Sequence, residues 1–204
     1  MGLMLALAAL SAPAQLTLNS PQLNQAYLLI PPIPPCSTAT ASTLGSTSSG
    51  QDAFGNAAST TYIAAGFITT NGFSGIPCSV DLVLQTVGSP TWTFQVAVYN
   101  DTTPSGSPGA INGAFGSTYN ANALTSSLTT NNYALAATAP FSGTVTNYVV
   151  IKAIGSPGNF TDYLKWDVWV LAGEGNPVGE WTSTDGVTWS SYNGAHSARL
   201  RFYK

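Results

Sequence analysis

The stretch TWTFQVAVY, Thr91 to Tyr99, decides the fold. Trp92, Phe94, Val96 and Val98 are large and apolar, and Thr91, Thr93, Gln95 and Ala97 between them are polar or small. Side chains of a strand point to opposite faces in turn, so a two-residue period describes a strand with one buried face. The same period recurs along the chain. SVDLVLQTV (79–87) sets Val80, Leu82 and Leu84 on one phase, and TNYVVIKAI (146–154) sets Val149, Ile151 and Ala153 against Tyr148, Val150 and Lys152. DYLKWDVWVL (162–171) and ARLRFY (198–203) repeat it, the last with Ala198, Leu200 and Phe202 inward. Between these runs lie turn formers, as in NDTTPSGSPG (100–109) and IGSPGN (154–159). Many short strands with such turns predict an all-β fold, an antiparallel, jelly-roll-like β-sandwich. ANALTSSL (121–128) and LMLALAAL (3–10) have helix-forming residues but are too short to change that class.

The first 51 residues hold no Asp, Glu, Lys or Arg, and they pass through IPPIPPCS into the Ser/Thr/Gly-rich STATASTLGSTSSG. Proline runs favour extended backbone and Ser/Thr/Gly runs read as linker, so residues 1–55 are expected to form an extended N-terminal arm and residues 56–204 the sandwich. The apolar Leu3, Met4, Leu5, Leu7, Leu10, Leu28, Leu29 and Ile30 would pack on a partner surface as an assembly arm. MGLMLALAALSAPAQ ends in a small-x-small pattern like a secretion signal, yet no basic residue precedes its apolar run, and it is read as part of the mature chain. The run is too short for a membrane span.

Charged residues make up 6% of the 204 residues and hydrophobic ones 44%, leaving a surface of hydroxyls and amides with a net charge of −3. Five basic residues, Lys152, Lys165, Arg199, Arg201 and Lys204, cannot supply the phosphate contacts of a nucleic-acid site. Arg199 and Arg201 fall on one strand face and read as solvated or ion-paired. Cys36 and Cys78 each follow a proline; a disulfide and two free thiols are both open readings, and with one histidine they cannot build a zinc site. No cofactor is expected.

FQVAVYND (94–101), GSPG (106–109) and STDGVTW (183–189) leading into ARLRFY together resemble the β-sandwich modules of secreted bacterial surface proteins and of bacteriophage fibre and capsid-decoration proteins. The resemblance covers about residues 60–204. It implies adhesion, decoration or glycan binding, and no catalytic set.

STDGVTW also nearly spells the Asp-box of sialidases, but it is one residue short, and the arginine cluster and blade repeats of a sialidase are missing. Its residues suit a hairpin turn with Gly186 left-handed. A three-residue loop, Thr184 to Gly186, puts Trp181 and Trp189 opposite each other on one face; a two-residue loop sends them to opposite faces. General acid–base work would run through His196 with Asp162, Asp167 or Asp185, without the G-x-S-x-G elbow of a hydrolase. Glu174 and Glu180, the nearest carboxylate pair, lie in a Gly/Pro-rich loop and read as exposed rather than as a glycosidase pair. Asn100 and Asp101 offer oxygen ligands to calcium at no dedicated spacing. Trp181, Trp189 and Tyr192 could stack on a glycan, though tryptophans at strand spacing more often belong to a core.

The expectation is a non-enzymatic virion protein, a capsid-decorating (cement) or fibre protein of a bacteriophage. It would contact the major capsid or tail protein and itself, as a homotrimer on the virion surface. The alternative is a glycan-binding adhesion module of a secreted bacterial surface protein, with surface glycans as partners.

Overall fold

The computed structural model describes residues 36, 39–42, 50–56, 61–68, 75–101, 106–141, 146–155, 160–170, 179–193 and 196–204. The eight apolar arm residues, Leu3 to Ile30, and Glu174 lie outside them.

The elements are strands, and all of their pairings are antiparallel. One sheet contains β1 (Ala39–Ser42), β2 (Gly50–Phe54), β4 (Ser79–Val87), β7 (Thr129–Ala134), β9 (Tyr163–Val170), β12 (His196–Ala198) and β13 (Leu200–Tyr203). Its order is β1-β13-β4-β9-β12, with β2 also on β9 and β7 also on β4. The second sheet is ordered β11 (Ser190–Asn193), β10 (Glu180–Ser183), β3 (Tyr62–Ile68), β8 (Thr146–Ile154), β5 (Thr93–Asn100) and β6 (Thr118–Asn120). The expected helical turn in ANALTSSL is a single 3-10 turn, Ala121–Ala123. No helix among the described residues is long and apolar enough to cross a membrane.

The two sheets share one core, which is the sandwich-like feature of the fold. Val80, Leu82, Leu84, Leu164, Trp166, Leu200 and Phe202 enter from the first sheet. Ile63, Phe94, Val96, Val98, Val149 and Ile151 enter from the second. All but Ile63, Leu164 and Trp166 are residues that the two-residue period assigns to the inside, and burying each contributes about 1.5–3 kcal/mol. Strand pairing reaches back to Ala39, into the stretch that composition reads as arm and linker. There Asp52 and Phe54 alternate inward, opposite Trp166 and Leu164 of β9. Cys36 and Cys78 are joined in a disulfide with their Cα atoms 6.0 Å apart, linking the residues ahead of β1 to the start of β4.

Candidate binding surface

The central strands of the second sheet, β3, β8 and β5, are covered on both sides, and the outer side is the candidate surface. On β10, β3, β8 and β5, Trp181, Ala64, Val150 and Ala97 fall into one register row pointing away from the shared core. Two alanines in that row keep the sheet low, so larger side chains lie across it. Tyr62, Ile111, Phe115, Trp181 and Trp189 cover buried Ala64, Ala97, Tyr99, Tyr148 and Val150.

Four of these rings form a closed circuit. Tyr62 and Trp189 have centroids 6.2 Å apart, Trp189 and Tyr99 5.9 Å, Tyr99 and Phe115 6.2 Å, and Phe115 and Tyr62 6.3 Å. The Lys152 ammonium stands 5.6 Å from the Tyr62 centroid and 5.2 Å from that of Phe115, within cation–π range. Burial pushes the Tyr99 phenol up to about 12, and burial likewise raises that of Tyr148, whose hydroxyl donates to the Gly106 carbonyl. The indole N–H groups of Trp181 and Trp189 are buried without a hydrogen-bond partner.

The turn that carries Trp189 is built by two side chains. Ser183 Oγ accepts from the N–H groups of Asp185 (3.2 Å) and Gly186 (2.9 Å). Asp185 Oδ1 accepts from the N–H groups of Val187 (2.8 Å) and Thr188 (2.7 Å), and Thr188 Oγ1 donates to Asp185 Oδ2. The backbone bonds from Thr188 and Val187, with that from the Ser183 hydroxyl, hold the Asp185 carboxyl well below its usual range. Gly186 takes φ 75°, the left-handed conformation that its sequence position implies. The connection is longer than three residues: Trp181 pairs with Ser191 and Thr182 with Ser190. Trp181 and Trp189 therefore share a face, as the longer-loop reading requires, but sit diagonally rather than directly opposite.

Tyr192 is apart from them. It lies at the β10–β11 bulge and is half exposed. Burial raises its phenol, and the charges of Asp52 and Glu180 add to the rise. That carboxyl pair corrects the expectation of an exposed Glu180. Glu180 is completely buried, opposite Ala65 on the core side of β10, because its neighbours form a strand rather than a loop. Burial pushes its carboxyl up to about 10, and a hydrogen bond to Asp52 together with the Asp52 charge adds to the rise. The pair joins β2 of one sheet to β10 of the other.

Three further acids are committed to structure. Asp167 Oδ2 meets Arg199 Nη1 at 2.5 Å. Asp81 Oδ2 accepts from Arg201 Nε (3.0 Å), Arg201 Nη2 (2.7 Å) and Tyr203 Oη (2.7 Å), while Asn132 donates to Oδ1 (2.8 Å). Burial works to raise the Asp81 carboxyl, yet the bonds from Tyr203, Asn132 and Arg201 bring it below its usual value. Asp162 Oδ1 accepts from the Ser89 N–H at 2.7 Å. His196 pairs with Val170 in the first sheet, and its side chain is outside the described set. Among the described residues no three His, Cys, Asp or Glu side chains group as metal ligands would.

Sequence reasoning named two members of the aromatic face, Trp181 and Trp189, and missed Tyr62, Tyr99, Phe115 and Lys152. One signal was present: in TNYVVIKAI both phases are apolar, with Tyr148 and Val150 outside and Val149 and Ile151 inside, which marks a strand covered on both faces. Compared with protein-family models, curated proteins and solved structures, the chain matches none.

Proposed function

We propose that this chain is a non-enzymatic structural protein of a bacteriophage particle, a capsid-decorating or fibre protein built on a jelly-roll-like sandwich. The observation that supports it is the aromatic outer face of the second sheet, where Tyr62, Phe115, Trp181 and Trp189 stay only partly covered. Interface centres are rich in such rings and poor in formal charge, and among the described residues Lys152 is the cation that stands over the rings. Asp81, Asp167 and Glu180 are paired within the fold, which withdraws these three from acid–base work. Residues 1–35, free of charge, then supply the attachment arm, and self-association makes a homotrimer. The test is to compare the full chain with one lacking residues 1–35. The full chain should be a trimer by light scattering and pellet with assembled particles; the shortened chain should do neither. Full-length protein that stays in the supernatant, or particles that an antibody to the sandwich fails to label, would refute the reading. A second reading, a glycan-binding module of a secreted bacterial surface protein, is favoured by the Cys36–Cys78 disulfide, a bond typical of oxidising compartments. Attachment to bacterial cells instead of particles would choose it.

A further inference from the structure

One row on the outer side of the second sheet crosses four strands. Tyr62 of β3 stands opposite Lys152 of β8, Lys152 opposite Gln95 of β5, and Gln95 opposite Thr118 of β6. Their chain neighbours Ile63, Ile151, Phe94 and Val96 enter the shared core, so strand alternation turns this row away from it. Phe115 reaches the row from the connection after β5, and the Lys152 ammonium stands 5.2 Å from its ring and 5.6 Å from that of Tyr62. We propose that this row binds a carboxylated sugar, a uronic or sialic acid residue of an acidic glycan.

Charge comes first. Arg199 and Arg201 each meet an aspartate, whereas Lys152 makes no ion pair and no hydrogen bond within the fold. Its stem is half-buried but the ammonium is open to solvent. Two rings hold a cation in place through their electron-rich faces without cancelling its charge, so a ligand anion finds a counter-charge already positioned. A single ammonium matches a single carboxylate. A phosphate group, with more charge and three acceptor oxygens, would call for more donors than this row supplies.

Hydrogen-bonding groups flank the charge on both sides. The Tyr62 hydroxyl is open to solvent and bonds to nothing in the fold. Gln95 commits its Nε2 to Gly116 O (3.4 Å) and Thr118 Oγ1 (3.1 Å), which leaves its side-chain carbonyl to accept from a ligand hydroxyl, and Thr118 beside it is exposed. A sugar acid carries hydroxyls along with its carboxylate, and its C–H surface suits the partly covered rings of Tyr62 and Phe115. An acidic peptide fits less well. Strand β8 is paired by β3 on one side and β5 on the other, so no extended segment can add to the sheet here and a peptide's amides would find no ladder. The assignment rests on reading this face as an attachment surface and names what its Lys152 end would hold. Pelleting with particles tests attachment itself, so a failed sugar titration leaves that result standing.

The experiment is a titration of the isotope-labelled full chain, followed by amide NMR, with the methyl glycosides of glucuronic, galacturonic and sialic acid. Methyl glucoside supplies the ring without the carboxylate, acetate and sulfate the anion without the ring, and N-acetyl-aspartate amide the peptide acid. At least one acidic glycoside should bind in the millimolar range, shifting the Gln95 side-chain amide and the backbone amides of Tyr62 and Lys152 while leaving the Asn132 side-chain amide in place. Lys152→Met, which keeps the apolar stem, should weaken binding about tenfold, the loss of one charged hydrogen bond, and Lys152→Arg should restore most of it. Gln95→Glu, which sets a carboxylate opposite Lys152, should also abolish binding. Melting temperatures of the three variants, measured alongside, should stay near that of the parent. No shift with any acidic glycoside at about 50 mM would overturn the proposal. So would equal binding of methyl glucoside, acetate, sulfate or N-acetyl-aspartate amide, or unchanged affinity in a folded Lys152→Met or Gln95→Glu chain.

Discussion

Gly186 is the residue at which the turn and the aromatic face meet. Its φ of 75° disfavours any side chain, and a Cβ there would lie 2.9 Å from Tyr62 Cε1. Gly186→Ala should therefore destabilise the fold by about 1–2 kcal/mol through the left-handed backbone and also push Tyr62 away from Trp189. A lower urea midpoint with altered near-ultraviolet circular dichroism is the expected result, and an unchanged midpoint would contradict it. The glycine is legible in the order Ser-Thr-Asp-Gly, which is turn chemistry wherever it occurs. Loop length is not. The Asp185 carboxylate reaches forward to Val187 and Thr188, and residue order does not distinguish a carboxylate that closes a loop from one that faces water.

Among the elements, β2 and β10 carry the least expected contact, the Asp52–Glu180 pair inside the fold. The Glu180 carboxyl is raised from an ordinary 4.5 to about 10, so the folded chain prefers it protonated. A raised acid contributes its full stability below the unfolded value and loses it as pH climbs toward the folded value. Stability should thus fall above pH 4.5, by up to about 1.4 kcal/mol for each pH unit while one proton is at stake. Asp52 and Tyr192 act on the same site, so the slope is read against Glu180→Gln, which keeps a donor without the charge. Urea midpoints of that variant should match the parent near pH 4 and exceed it at pH 8; equal midpoints at both would remove the idea. Period-two patterning makes β4, β5, β8, β9 and β13 legible because their inward residues are apolar. It hides β2 and β10, where a buried acid takes an inward place and the strand is only five or four residues long.

For the whole molecule, the two sheets depend on pairings between distant parts of the chain, and the Cys36–Cys78 disulfide closes one such span across a separation of 42 residues. Replacing both cysteines by serine should lower stability by about 4 kcal/mol in the chain-entropy model, measured as a lower denaturant midpoint for the full chain. A midpoint unchanged by reduction would deny the bond. The two-residue period made the all-β class legible, whereas the pairing of two thiols was open until the strands placed them together. The same bond governs how the molecule bears load. Tension applied to the chain ahead of Cys36 passes through sulfur to Cys78 and into β4, whose first half has β13 on one side and β7 on the other. The segment from 37 to 77, with β1, β2 and β3, stays slack. A pull that would otherwise peel β1 from the edge one hydrogen bond at a time must instead shear a strand held on both flanks.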